Sequence, residues 1–141
     1  MEAANYRRVA DVGTGSGDAL LQYLGRYDTL GLERGPALQS LYQVHPARSW
    51  APIDYAAPPI ETDLLLCSGL MERMQDPKKL LEYLKGFQFK KLLIATADRA
   101  VLTAHPHLAA SLDPPANPGH VQEWTRTEFA ALLGQYFTVV E

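Results

Sequence analysis

Val9-Ala10-Asp11-Val12-Gly13-Thr14-Gly15-Ser16-Gly17-Asp18 is the stretch on which the fold turns. A short apolar run leads into three glycines at alternate positions, and Asp18–Leu24 follows with Leu20, Leu21 and Leu24 at helical spacing. Such a strand, glycine loop and helix bring backbone close to a ligand. A dinucleotide-binding loop places its third glycine one position later, where this chain has Asp18. A carboxylate at that helix start also repels a pyrophosphate. A P-loop is excluded, because no Gly-Lys-Ser/Thr follows. Asp11, inside the strand and just before the loop, suits a ligand that carries a cationic amino group. Glu33, about twenty residues beyond Gly13, stands where an acidic side chain accepts hydrogen bonds from both hydroxyls of a ribose. It disfavours a 2′-phosphate. An NAD-dependent oxidoreductase is therefore the weakest of the readings considered.

Outward from the loop, short apolar runs alternate with segments of helical period. Gly25 stops the first helix; Thr29–Glu33 reads as a second strand and Pro36–Val44 as a second helix. Trp50–Tyr55 is a weak third strand, flanked by prolines. Leu64–Cys67, opened by Asp63, is a continuous apolar run of the buried parallel kind. The next helix has Asp76 as N-cap, Pro77 at its first position, Leu80, Leu81 and Leu84 inward, and Gly86 as its end. Lys91–Ala97 is a further strand, followed by a long Pro-rich loop from about Asp98 to Trp124. Thr125 and Glu128 form a capping box, with Trp124 and Phe129 as its hydrophobic staple. Phe137–Val140 reads as a final strand. The alternation predicts one domain over residues 1–141, an α/β, doubly wound, Rossmann-like, mostly parallel sheet.

Composition bounds the rest. The 141 residues, 47% hydrophobic, are enough for one core. Cys67 is the single cysteine, so no internal disulfide is possible and a reducing, cytoplasmic setting is expected. No apolar stretch of membrane-spanning length occurs, and Met1–Arg8 lacks the features of a signal peptide. A net charge of −3 argues against a nucleic-acid partner. Lys78, Lys79, Lys85, Lys90 and Lys91 read as a solvated face. His45, His105, His107 and His120 share no zinc-type spacing with Cys67, so no metal is expected.

The pattern resembles the class I S-adenosylmethionine-dependent methyltransferases over nearly the whole chain, Val9 to Val140. Asp11-Val12-Gly13-Thr14-Gly15-Ser16-Gly17 looks like the family's first motif and Gly31-Leu32-Glu33 like its second. Asp54, followed by Tyr55, stands where relatives often place an acidic residue on the adenine amino group. Asp63 to Glu72 is similar to the fourth-strand motif, whose end, here Cys67-Ser68, lies beside the sulfonium. The resemblance thus implies S-adenosylmethionine as cofactor, S-adenosylhomocysteine as product, and Asp11, Gly13, Thr14, Gly15, Gly17, Glu33, Asp54, Tyr55, Cys67 and Ser68 as its contacts. His120-Val121-Gln122-Glu123-Trp124-Thr125 with Glu128-Phe129, Pro114-Pro115-Ala116-Asn117-Pro118 and Thr96-Ala97-Asp98-Arg99 resemble segments of a subset often found near glycosyltransferases. That association implies a small-molecule or glycan acceptor.

Two departures matter. Arg73 follows Glu72 where many relatives have His, and the chain ends at its sixth strand, truncated relative to the family's seventh. It also starts without the helices that usually cover the substrate. An open sheet edge predicts a homodimer, or a larger partner that completes the sheet. Methyl transfer needs alignment and, for a hydroxyl acceptor, a base. His120 fits that role by its titration range; a structural hydrogen bond that fixes the loop fits it equally. Glu72, Arg73, Asp98 and Arg99 are candidates for holding a polar acceptor, with loop ion pairs as the plainer account. Cys67 suits packing better than nucleophilic attack. Trp50 and Trp124 suit core and staple. A catalytically silent S-adenosylmethionine-binding module that acts through a partner protein is the alternative to an active methyltransferase.

Overall fold

The computed structural model describes residues 5–102 and 115–140. His105, His107 and Pro114, together with the first four residues, lie outside the described set. The chain falls into two compact units. One holds the positions up to Ser68 with Phe87–Ile94; the other holds Gly69–Gly86 and the positions from Ala95 onward.

The first unit is built on the sheet. β1 (Arg8–Val12), β2 (Asp28–Glu33), β3 (Ser49–Pro52), β4 (Leu64–Ser68) and β5 (Lys91–Ala95) form five strands in the order β3-β2-β1-β4-β5. β1 runs parallel to both β2 and β4, and β2 runs parallel to β3. The order is that of a doubly wound sheet, in which β1 and β4 flank the switch point and ligands gather beyond the carboxyl ends. Val9, Ala10, Val12 and Leu65 are buried because their strands are covered on both faces. α1 (Asp18–Leu24) and α2 (Gly35–Val44) supply Leu20 and Leu41 to a core shared with Val9 and Trp50. Truncating Leu41, 1% exposed, removes contacts worth about 2–5 kcal/mol.

Asp63 ties the strand entries together. Its carboxylate accepts the Arg7 and Arg8 N–H groups at 2.8 and 2.9 Å and meets Lys90 Nζ at 2.6 Å. Its carbonyl accepts from Lys90 and Lys91. The Lys90 bond first, then the Arg8 and Arg7 N–H groups, hold this carboxyl well below the usual carboxylate range.

In the second unit, α3 (Pro77–Lys85) starts with the Asp76 side chain accepting the Lys79 N–H, as its N-cap residue type dictates. Leu80, Leu81 and Leu84 are fully buried. Two elements escaped the sequence pattern because they are too short to show a period: a 3₁₀ turn, Met71–Arg73, and α4 (Arg99–Leu102). α5 (Arg126–Gly134) has both halves of its capping box, and Trp124 and Phe129 stack with ring centroids 5.8 Å apart.

The expected strand over Phe137–Val140 is absent. The N–H groups of Gln135, Tyr136 and Phe137 are spent on the Leu132 and Leu133 carbonyls as α5 unwinds. Thr138, Val139 and Val140 are exposed. Apolar, β-branched residues need a ladder partner to become a strand, and this segment pairs with none among the described residues. β5 ends at Ala95 rather than Ala97, since the Thr96 hydroxyl turns to Glu72 at 2.8 Å. β3 stops at Pro52, which cannot donate to a ladder. No helix among the described residues is long and apolar enough to cross a membrane.

Candidate functional site

The first unit carries the glycine loop and every residue assigned to cofactor binding. Gly13, Gly15 and Gly17 all have positive φ, between 62° and 81°, so side chains there are strained. The Gly13 N–H donates to the Leu32 carbonyl at 2.9 Å, which docks the loop on the end of β2. Glu33, at that same end, accepts the Gly15 N–H on one oxygen at 2.8 Å and the Arg34 N–H on the other at 3.0 Å. Each oxygen keeps a second acceptor position, so the carboxylate is aimed without being used up.

Trp50 forms the floor beneath the loop. It is 6% exposed, its indole N–H donates to the His45 carbonyl at 2.9 Å, and its own carbonyl accepts from Tyr42. A Cβ added at Gly17 would stand 2.7 Å from the indole, and one added at Gly31 would collide with it. Gly31 therefore exists for this close approach, and Trp50 for shaping the loop from below. Sequence reading gave Trp50 its place in the core; its contact with both glycines was not visible there, because the three positions lie far apart in the chain.

Asp11 and Glu33 set the electrostatics. Burial pushes the Asp11 carboxyl above its usual range; the Thr14 side chain offsets part of this, and the negative charge of Glu33 adds to it. The Thr14 hydroxyl is buried and has no hydrogen bond of standard geometry. A buried carboxyl raised further by a neighbouring negative charge, with the Thr14 hydroxyl beside it, makes a site suited to a cation with hydrogen-bonding groups. Asp54 lies past the end of β3, where its carboxylate accepts the Ala56 N–H at 2.9 Å in an Asx turn; Tyr55 follows it and is 37% exposed. At the carboxyl end of β4, Ser68 is exposed while Cys67 is 1% exposed, a packed thiol as expected.

The second unit gathers the acceptor-side candidates around two buried carboxylates. Glu72 is 4% exposed; it accepts from the Thr96 hydroxyl, and its carbonyl accepts the N–H groups of Val121 and Gln122 at 2.6 and 3.3 Å. Arg73 is exposed on the same 3₁₀ turn. Asp98 caps α4 by accepting the Ala100 N–H on one carboxylate oxygen at 2.9 Å. Arg99 meets Glu123 at 3.4 Å. His120 Nδ1 lies 2.8 Å from the same Glu123 carboxylate. The structure thus brings Arg99 and His120 together through a residue that sequence reading did not single out. The available signal was its place three residues after His120. Burial raises the Glu123 carboxyl, but the N–H groups of Asn117 and Ala116 and the His120 ring outweigh it, and the net direction is downward. No group of three or more His, Cys, Asp or Glu side chains among the described residues is arranged to hold a metal ion.

No family model matches the chain, and no curated protein sequence matches it. Solved structures do. YcgJ from Bacillus subtilis is 17% identical, with a TM-score of 0.67, covering 96% of this chain and 63% of that one. The mitomycin 7-O-methyltransferase MmcR is 19% identical with a TM-score of 0.66, covering 96% of this chain and 44% of its own. CalS10 from Micromonospora echinaspora, an amino pentose methyltransferase solved with S-adenosylmethionine bound, is 19% identical with a TM-score of 0.51, covering 60% and 38%. The chain spans less than two thirds of the length of each of these proteins. The fold is that of the class I S-adenosylmethionine-dependent methyltransferases.

Proposed function

We propose that the chain binds S-adenosylmethionine and transfers its methyl group to a hydroxyl of a small molecule or glycan. The observation that carries the reading is the pairing of Asp11 and Glu33 around a loop whose Gly15 N–H already orients Glu33. Glu33 offers its remaining acceptor positions to the ribose hydroxyls, and Asp11 with the Thr14 hydroxyl takes the ammonium of the methionine end. Gly13 and Gly17 leave room for the ligand, Asp54 and Tyr55 would take the adenine, and the Cys67–Ser68 end of β4 would serve the sulfonium end. When bound, the cofactor would supply an electrophilic methyl on a sulfonium, the C–S bonding pair remaining on sulfur to give S-adenosylhomocysteine. His120 takes the proton of the acceptor hydroxyl as its oxygen bonds to carbon, and Glu72, Arg73, Asp98 and Arg99 serve the acceptor side. MmcR and CalS10, as O-methyl and amino-sugar methyltransferases, support the acceptor class. The same reading pairs two copies of the chain along β5.

Calorimetric titration of the purified chain with S-adenosylmethionine, S-adenosylhomocysteine and NAD tests the cofactor. Micromolar binding of the two sulfur ligands alone is expected. Glu33→Ala is expected to weaken it by about 10–100-fold, the loss of one or two hydrogen bonds to a charged group. Absence of binding by all three ligands removes the proposal.

A further inference from the structure

Glu123 is 0% exposed, and four donors surround its carboxylate. Oε1 accepts the Asn117 N–H at 2.9 Å and faces His120 Nδ1 at 2.8 Å; Oε2 accepts the Ala116 N–H at 2.8 Å and meets Arg99 at 3.4 Å. Arg99 and the stretch 116–120 therefore hold one carboxylate in a single orientation. An ionised carboxylate only accepts, so the hydrogen of a neutral His120 ring must sit on Nδ1. Nε2 is then left with its lone pair, and among the described residues it has no hydrogen bond.

The backbone around His120 is pinned as well. Its N–H donates to the Asn117 carbonyl at 3.0 Å, and the next two N–H groups both go to the Glu72 carbonyl. The Gly119 N–H closes on the Asn117 side chain at 2.8 Å. Ala116, Asn117 and Arg99 fasten the loop to Glu123, and the 2.8 Å bond to Nδ1 fixes the His120 ring in addition. Support of the ring from behind, with no bond to the opposite nitrogen among the described residues, is the arrangement that presents a base.

We infer that Glu123 is the positioning residue of this chain, setting the tautomer and orientation of His120 so that Nε2 is the nitrogen that accepts the acceptor's proton. The inference rests on the reading of His120 as base. Its first half, the tautomer, is measurable on the protein alone.

The test uses two-bond nitrogen–proton correlations from the ¹⁵N-labelled chain, above the pH range in which histidine titrates. The His120 ring is assigned by its absence from His120→Gln. Protonation on Nδ1 in the unsubstituted chain is the expected result; protonation on Nε2 overturns the inference. In Glu123→Leu, which has no acceptor, the ratio of tautomers is expected to move toward Nε2–H by about tenfold or more. An unchanged ratio in the folded variant means that Glu123 serves the loop alone, and also overturns it. If Glu123→Leu does not fold, the unsubstituted chain still decides. S-adenosylmethionine titrations of the same samples keep the two questions apart. Failure to bind defeats the proposed cofactor whatever the tautomer, and an Nε2–H ring in a chain that binds defeats only the role given to Glu123.

Discussion

Asp11 carries a cost in the unliganded chain. Its carboxyl is raised in the fold by burial and by Glu33, so the folded state holds its proton more tightly than the unfolded one. Stability accordingly falls as pH rises from about 4, the unfolded value, through the raised folded value, and the loss persists above it. Asp11→Asn is expected to raise the thermal midpoint at neutral pH, with the gain fading below about pH 4. The same variant is expected to bind S-adenosylmethionine more weakly, because the cation loses its counter-charge. Melting scans and calorimetry on one preparation check both halves; a variant that is neither more stable nor weaker in binding removes Asp11 from the site. Asp11 and Glu33 were legible in the sequence since each sits at a strand end at a known distance from the glycines. Glu123 was not, because the Ala116 and Asn117 N–H groups reach it through the turn of an irregular loop and Arg99 from 24 residues away, and neither leaves a mark in sequence spacing.

At the level of elements, the caps were read with most success. Asp76 and the Thr125–Glu128 box are local chemistry, complete within four residues, and both form as the residue types demand. The error at Phe137–Val140 has the opposite origin, since a strand is made by its neighbour and no local rule supplies one. Asp63 belongs at this scale because it joins the entries of β1, β4 and β5. Its folded carboxyl is depressed, so its contribution is fully present above the unfolded value near 4 and is lost as pH falls below it. Asp63→Asn is expected to lower the thermal midpoint at pH 7, with the gap to the unsubstituted chain narrowing below about pH 4. A gap that stays constant across that range would show that the Lys90 pair and the Arg7 and Arg8 N–H bonds are not its source.

For the molecule as a whole, alternation of strands and helices was enough to give a doubly wound, mostly parallel sheet, since few topologies satisfy short, right-handed connections. Segments of the two compact units alternate along the chain. β5 stands at one end of the sheet order, with Leu93 53% exposed. An edge strand with an apolar surface is a template for pairing. Light scattering is expected to give twice the chain mass, and Leu93→Lys is expected to shift it toward the monomer. A monomer in the unsubstituted chain would end the dimer proposal.

The indole of Trp50 lies directly under the glycine loop, and the chain has only two tryptophans. Whatever enters above Gly17 and Gly31 alters the field and the packing around that ring. The protein therefore contains its own optical gauge for the pocket, an emitter placed by the fold that registers occupancy without a label.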